Sequence, residues 1–148
     1  MAICGIYAYY IDLGHGFEEK NIIYIGQSVY IERRLKQHEA YKNKFLNCFK
    51  GGNSKIDALF SMCGEKYSKP IKSIILTICE KECLTEKENF YIEKYKDTIL
   101  NTGWGTSLKL PPKRAEHRCL KIALELTNGD LKDYWGKDKT IKQNGFIK

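Results

Sequence analysis

Two short runs crowded with isoleucine and tyrosine constrain this chain more than any other feature. AICGIYAYYIDL (2–13) and IIYIGQS (22–28) flank GHGFEEKN (14–21), whose Gly14 and Gly16 are turn residues. Two β-prone runs around a glycine-containing loop predict an antiparallel hairpin. The loop is longer than a tight turn, so it does not set the register. Tyr7 and Tyr24 sit near the middle of their runs and are expected side by side on one face.

At Ile31 the period changes. Ile31, Leu35, His38, Tyr41 or Lys42, and Phe45 recur at helical spacing, and GGN (51–53) interrupts them, with Asn53 or Ser54 as N-cap of a second helix, KIDALFSMCGEKY. Pro70 ends that region. KSIILTICE predicts a third strand, apolar enough to be central in a sheet, and LTEKENFYIEKYK a third helix. Pro111-Pro112 mark a boundary before a fourth helix, AEHRCLKIALEL, which stops at Asn128-Gly129. The last stretch is polar, lysine-rich and expected to be loosely held. The order is β-β-α-α-β-α followed by a basic helical extension, with no internal repeat.

The 148 residues suffice for one domain with its own core. No apolar run approaches the ~20 residues of a membrane span, and the N-terminus lacks the basic region and cleavage site of a signal peptide. An intracellular (cytoplasmic) protein with reduced thiols is therefore expected. Its six cysteines (Cys4, Cys48, Cys63, Cys79, Cys83, Cys119) form no CxxC pair and no four-ligand zinc spacing, even counting His117, and read as small hydrophobes. The net charge of +7 is uneven: residues 1–107 hold 15 Lys/Arg against 13 Asp/Glu, and residues 108–148 hold 10 against 5. Such a basic end suits a polyanion such as nucleic acid, or simply solubility.

Two helical positions are anomalous. Arg34 and His38, four apart, share a side of the first helix beside its buried stripe, while Arg33 points to solvent with Lys36 and Lys44. A guanidinium held there suits planar phosphate recognition; a structural Arg–Glu pair is the alternative. On the third helix, Leu84, Glu88, Tyr91, Ile92 and Tyr95 share the inward face, which brings one acid inside. Thr85 to Glu88 also fits a capping box, with Thr85 as N-cap, and from spacing alone that account of Glu88 competes with metal ligation.

Taken together, GIY (5–7) and YIG (24–26) on successive strands, Arg34 eight residues past the second glycine, His38 one turn on, ENF (88–90) in the third helix, and LNT (100–102) at its end before Gly103 and Gly105 resemble the GIY-YIG nuclease family. The likeness covers roughly residues 3–107. It departs in the 16 residues between GIY and YIG, which imply an extended hairpin loop. It implies an α+β fold, a small three-stranded antiparallel sheet flanked by helices, over residues 1–107, with 108–148 as the basic helical extension. It also implies a metal-dependent DNA endonuclease that hydrolyses a phosphodiester with one Mg²⁺ (or Mn²⁺).

By that resemblance Glu88 binds the metal and Tyr7 is general base or orients the attacking water. Tyr24 lies beside the scissile phosphate, Arg34 neutralises developing charge, His38 assists, and Asn101 holds the site together. Gly26, Gln27 and Ser28, with Arg33 and Lys36, would meet DNA, and Lys113, Arg114, Arg118 and Lys121 would supply affinity from the extension. A catalytically inactive DNA-binding module of the same fold is the alternative. Restriction, homing and repair roles, nicking or double-strand cleavage, and oligomeric state all stay open on the sequence.

Overall fold

β1 (Gly5–Ile11) is buried along almost its whole length because it is paired on both edges. The computed structural model describes residues 2–43, 55–101 and 112–128. In it, β2 (Ile22–Ser28) and β3 (Ile71–Ile78) flank β1, both antiparallel to it, in the order β2-β1-β3. Side chains alternate across a strand, so β1 serves two cores. Tyr7 and Tyr9 face one, with Ile31, Ile56, Leu59, Phe60, Cys119 and Leu120. Ile6, Ala8 and Tyr10 face the other, with Ile25, Leu84, Ile92 and Ile99.

The first core is roofed by α1 (Ile31–Glu39), α2 (Lys55–Tyr67) and α4 (Pro112–Leu126); the second is covered by α3 (Leu84–Lys94). From Lys55 to Gly64 every residue of α2 is buried, and Gly64, at φ 67°, kinks it. A helix enclosed on all sides needs a partner on each. α4 supplies one, placing Ala115, Cys119, Leu120 and Ala123 in the shared core. Pro112 opens α4, where a missing N–H costs nothing, and Asn128 leaves it at φ 53°, the left-handed exit expected there. No helix among the described residues is long and apolar enough to cross a membrane.

Several expectations need correcting. β3 is an edge strand, not a central one: β1 takes the centre, and Ile75 and Ile78 of β3 are exposed while Ile74 and Leu76 pack toward α3. Tyr7 and Tyr24 do share one face as expected, as diagonal neighbours with ring centroids 6.4 Å apart; Tyr7 pairs with Gly26, and Tyr24 with Tyr9. The capping box is absent. A 3-10 turn (Lys81–Cys83) feeds α3, Cys83 is its N-cap without a side-chain bond, and Thr85 already lies inside the helix. Asn101 is not at the end of α3 but past a further turn. Cys63 and Cys119 are buried as expected, whereas Cys4, Cys79 and Cys83 are half-buried. Lys44, Phe45, Cys48, the Asn53/Ser54 cap, Gly103, Gly105, the tail from 129 and the side chain of Lys113 lie outside the described residues.

The long hairpin loop is closed by one carboxylate. Asp12 accepts the N–H groups of Gly14 (2.8 Å) and Gly16 (3.0 Å) and pairs with Lys72 of β3 (2.8 Å). Gly14 and Gly16, at φ 101° and 77°, supply the left-handed turns this requires. Across the molecule, the chain after α3 runs along the outer edge of β2. The Leu100 N–H donates to Ile23 O (2.6 Å), and the Asn101 side chain both donates to Ile25 O (2.7 Å) and accepts Ile25 N–H (3.1 Å). An amide thus plays the part of a fourth strand and satisfies an edge that would otherwise be open.

Candidate active site

The turn from β2 into α1 aims the first helix at the sheet. Ser28 Oγ accepts the Tyr30 N–H (2.9 Å), and Ile31 N–H donates to Ile3 O (2.8 Å), which ties the helix start to the chain before β1. With Ile31 fully buried, the helical period carries Arg34 and His38 over the Tyr7 face. His38 is 1 % exposed, and its Nε2 lies 2.7 Å from Tyr7 Oη. Its Nδ1 lies 2.6 Å from Asp57 Oδ1 of α2. The ring centroids of Tyr7, Tyr9 and Tyr24 lie 5.8, 5.7 and 5.8 Å from that of His38, and those of Tyr7 and Tyr24 lie 6.4 Å apart.

Asp57, when ionised, can only accept, so Nδ1 carries a proton. A neutral imidazole then offers its Nε2 lone pair to the Tyr7 hydroxyl. Burial drives the Tyr7 phenol well above its ordinary pKa, and Tyr24 adds to that; the adjacent Arg34 guanidinium pulls it back. For Arg34 itself burial disfavours the charge, yet Tyr7, Tyr24 and Asp57 outweigh this and hold its pKa up. The site is therefore a protonated phenol, a permanent cation beside it, and an imidazole behind it.

Arg34 is half-buried, with Nη1 donating to Gln37 Oε1 (3.1 Å), while Arg33 and Lys36 are exposed as the helix period required. They line a shallow surface depression with Tyr30 and Glu32. Glu88 comes from α3, on the other side of the sheet. Its Oε1 accepts from Gln27 Nε2 (3.2 Å), and Gln27 follows the Gly26 that lies against Tyr7. Gly26 has a steric reason to be glycine: a Cβ there would lie 2.9 Å from Tyr7 Cε1 and closer still to Cζ and Oη. Gly5 has another, since its Cβ would strike Thr77 O of β3.

A family model, the GIY-YIG catalytic domain, matches residues 4–101. The chain belongs to the GIY-YIG nuclease family. In this GIY-YIG chain the first triplet lies in β1 and the second in β2, so the two family tyrosines share one face with Arg34 and His38. No curated protein and no solved structure matches the chain.

Of the residues singled out from sequence, Tyr7, Tyr24, Arg34 and His38 meet directly, Glu88 bonds Gln27 from the α3 side of the sheet, and Asn101 bonds Ile25 along the outer edge of β2. On α4, Arg114 and Lys121 are exposed, and Arg118 is half-buried near Asp97 with burial lowering its pKa. Among the described residues no three His, Cys, Asp or Glu side chains cluster to hold a metal ion. Sequence reasoning missed Asp57. Its only signal was an acid near the start of a run, IDALFSMC, that is otherwise almost wholly apolar.

Proposed function

We propose that this GIY-YIG chain is a metal-dependent endonuclease that hydrolyses a DNA phosphodiester. The observation that carries the reading is the buried Tyr7–His38 hydrogen bond with Arg34 alongside. A phenol with a raised pKa is not a resident base. It can take a proton from water only as its own proton leaves, and His38 Nε2 stands 2.7 Å away to accept it. Arg34 meets the charge that develops on the phosphoryl oxygens. Tyr24, half-buried on the same face, flanks the phosphate. Arg33 and Lys36 hold neighbouring phosphates, and Gly26, Gln27 and Ser28 form the rim.

Glu88 is the candidate ligand for Mg²⁺ or Mn²⁺. One half-buried carboxylate suits a cation that keeps several waters and takes its other oxygens from substrate phosphate. Bound there, the ion would polarise the phosphate as a Lewis acid. The hydrogen bond from Gln27 Nε2 turns the Glu88 carboxylate toward β2. In the extension, Arg114 and Lys121 are the exposed cations of α4 that would reach DNA backbone, with Lys113 and Arg118 beside them in sequence.

Glu88→Gln tests the assignment, because it keeps the shape but is a poor ligand for the ion. Supercoiled plasmid incubated in Mg²⁺ should be cut by the unsubstituted chain and not by Glu88→Gln, with equal DNA retention in gel shifts. Cutting by Glu88→Gln at the original rate removes the metal role. DNA binding without any cutting by the unsubstituted chain supports the inactive binding module instead.

A further inference from the structure

The nuclease reading assigns Tyr7, Arg34, His38 and Glu88 but gives Asp57 no task. Asp57 lies in the first turn of α2, a helix buried from Lys55 to Gly64. Burying a carboxylate is unfavourable unless it is bonded, and the run around it, Ile56 to Cys63, is almost wholly apolar. Its side chain is 9 % exposed and meets an imidazole of zero exposure at 2.6 Å. The result is a chain of two hydrogen bonds across three elements: Asp57 of α2, His38 of α1 and Tyr7 of β1.

Resting on the nuclease reading above, we propose that Asp57 is a positioning residue for hydrolysis: it fixes His38 as the Nδ1–H tautomer and orients the ring so that Nε2 receives the Tyr7 proton. The step balances. The attacking water gives a proton to Tyr7 Oη as the Tyr7 proton passes to His38 Nε2. The water oxygen bonds to phosphorus, the scissile P–O bond breaks, and the leaving oxygen keeps the electron pair and takes a proton from solvent. The imidazolium so formed remains bonded to Asp57, whose negative charge stabilises it. Without a carboxylate at 57, the ring is free to carry its proton on Nε2 and present a donor to Tyr7, which blocks transfer.

The groups facing His38 are Tyr7 and Tyr9 from β1, Tyr24 from β2 and Asp57 from α2; on its own helix Arg34 lies one turn back, beside Tyr7, and Glu39 acts on Tyr9. Only Asp57 among them bonds Nδ1 as an obligate acceptor.

Asp57→Asn keeps the volume and can donate to Nδ1, which favours the wrong tautomer. The test combines plasmid cleavage by the full chain in Mg²⁺ across pH with nitrogen-15 NMR of the His38 ring in the free protein. Expected are a rate loss of roughly 10²–10⁴-fold near neutral pH, unchanged DNA retention, and a His38 proton moved from Nδ1 to Nε2. The acid limb of the rate profile should shift as well, because the imidazolium has lost its counter-charge. A rate loss with tautomer and profile unmoved makes Asp57 merely structural and overturns the inference, as does undiminished cleavage. Should Asp57→Asn fail to fold, the unsubstituted chain still decides: a neutral His38 protonated on Nε2 overturns it. NMR showing the Nδ1 proton in a chain that never cuts DNA overturns the nuclease reading instead, with the geometry intact.

Discussion

Gly26→Ala should damage this protein through a single aromatic ring. The added methyl would sit 2.9 Å from Tyr7 Cε1 and closer to Cζ and Oη. Restoring ordinary carbon–carbon spacing requires the ring to recede by about 1 Å. It has nowhere to go: Tyr7 is 1 % exposed, with Tyr9 at 6.2 Å, His38 at 5.8 Å and Tyr24 at 6.4 Å between ring centres. Overpacking of this kind costs about 1–3 kcal/mol, and at this chain length each kcal/mol lowers the melting temperature by about 2–4 °C. The same displacement breaks the 2.7 Å bond to His38, and a misplacement of about 1 Å costs on the order of 10²-fold in rate. Thermal melts and plasmid cleavage should therefore fall together. The control is Gly26→Ala in a Tyr7→Leu background, where the side chain ends short of the clash and the stability cost should largely vanish. If Gly26→Ala melts like the unsubstituted chain, or costs the same in both backgrounds, the close approach of Tyr7 to Gly26 is not what requires glycine.

Other substitutions probe the rest of the site. Arg34→Ala should lower the cleavage rate by about 10²–10³-fold, whereas Arg33→Ala should weaken DNA binding and flatten its salt dependence by about one unit of slope; equal effects in both assays would contradict their different burial. Asn101→Ala leaves the N–H and C=O of Ile25 unbonded, at about 1–3 kcal/mol for each, so urea unfolding should show a clear loss, and Asn101→Asp, which keeps only the acceptor, should recover part of it. Asp12 is held at about 2, against an ordinary 3.8, by Lys72 first and then by the Gly14 N–H, with Gly16 assisting. A carboxyl depressed on folding lends stability above its unfolded pKa and loses it as pH falls through the folded one. Melting temperature should accordingly drop between pH 3.8 and about 2, and Asp12→Asn should remove that part of the acid dependence; an unchanged acid profile in Asp12→Asn would show that the loop clasp contributes nothing.

The hairpin, the four helices and the family were legible in the sequence because each rests on local information. Isoleucine- and tyrosine-rich runs around a glycine-containing loop marked β1 and β2, helical spacing from Ile31 separated Arg34 from Arg33, and the turn residues lay where the chain reverses. Spacing also placed His38 and Glu88 on inward faces, and both are at least half-buried. Other properties depend on which elements become neighbours, and no window of sequence contains that. β3 has the apolar content of a central strand, yet it lies at the edge because β1 has only two sides and β2 occupies the other. Thr85 and Glu88 match a capping box letter for letter, but a 3-10 turn started the helix earlier and turned Glu88 toward Gln27. Asn101 reads as a loop residue until its amide is found bridging Ile25, 76 residues away. Asp57 is the sharpest case: in sequence it is one acid at the head of an apolar helix, and only the packing of α2 against α1 and β1 brings its carboxylate to His38 and, through it, to Tyr7. A buried charge acquires a role from the partner that satisfies it, and tertiary structure chooses that partner.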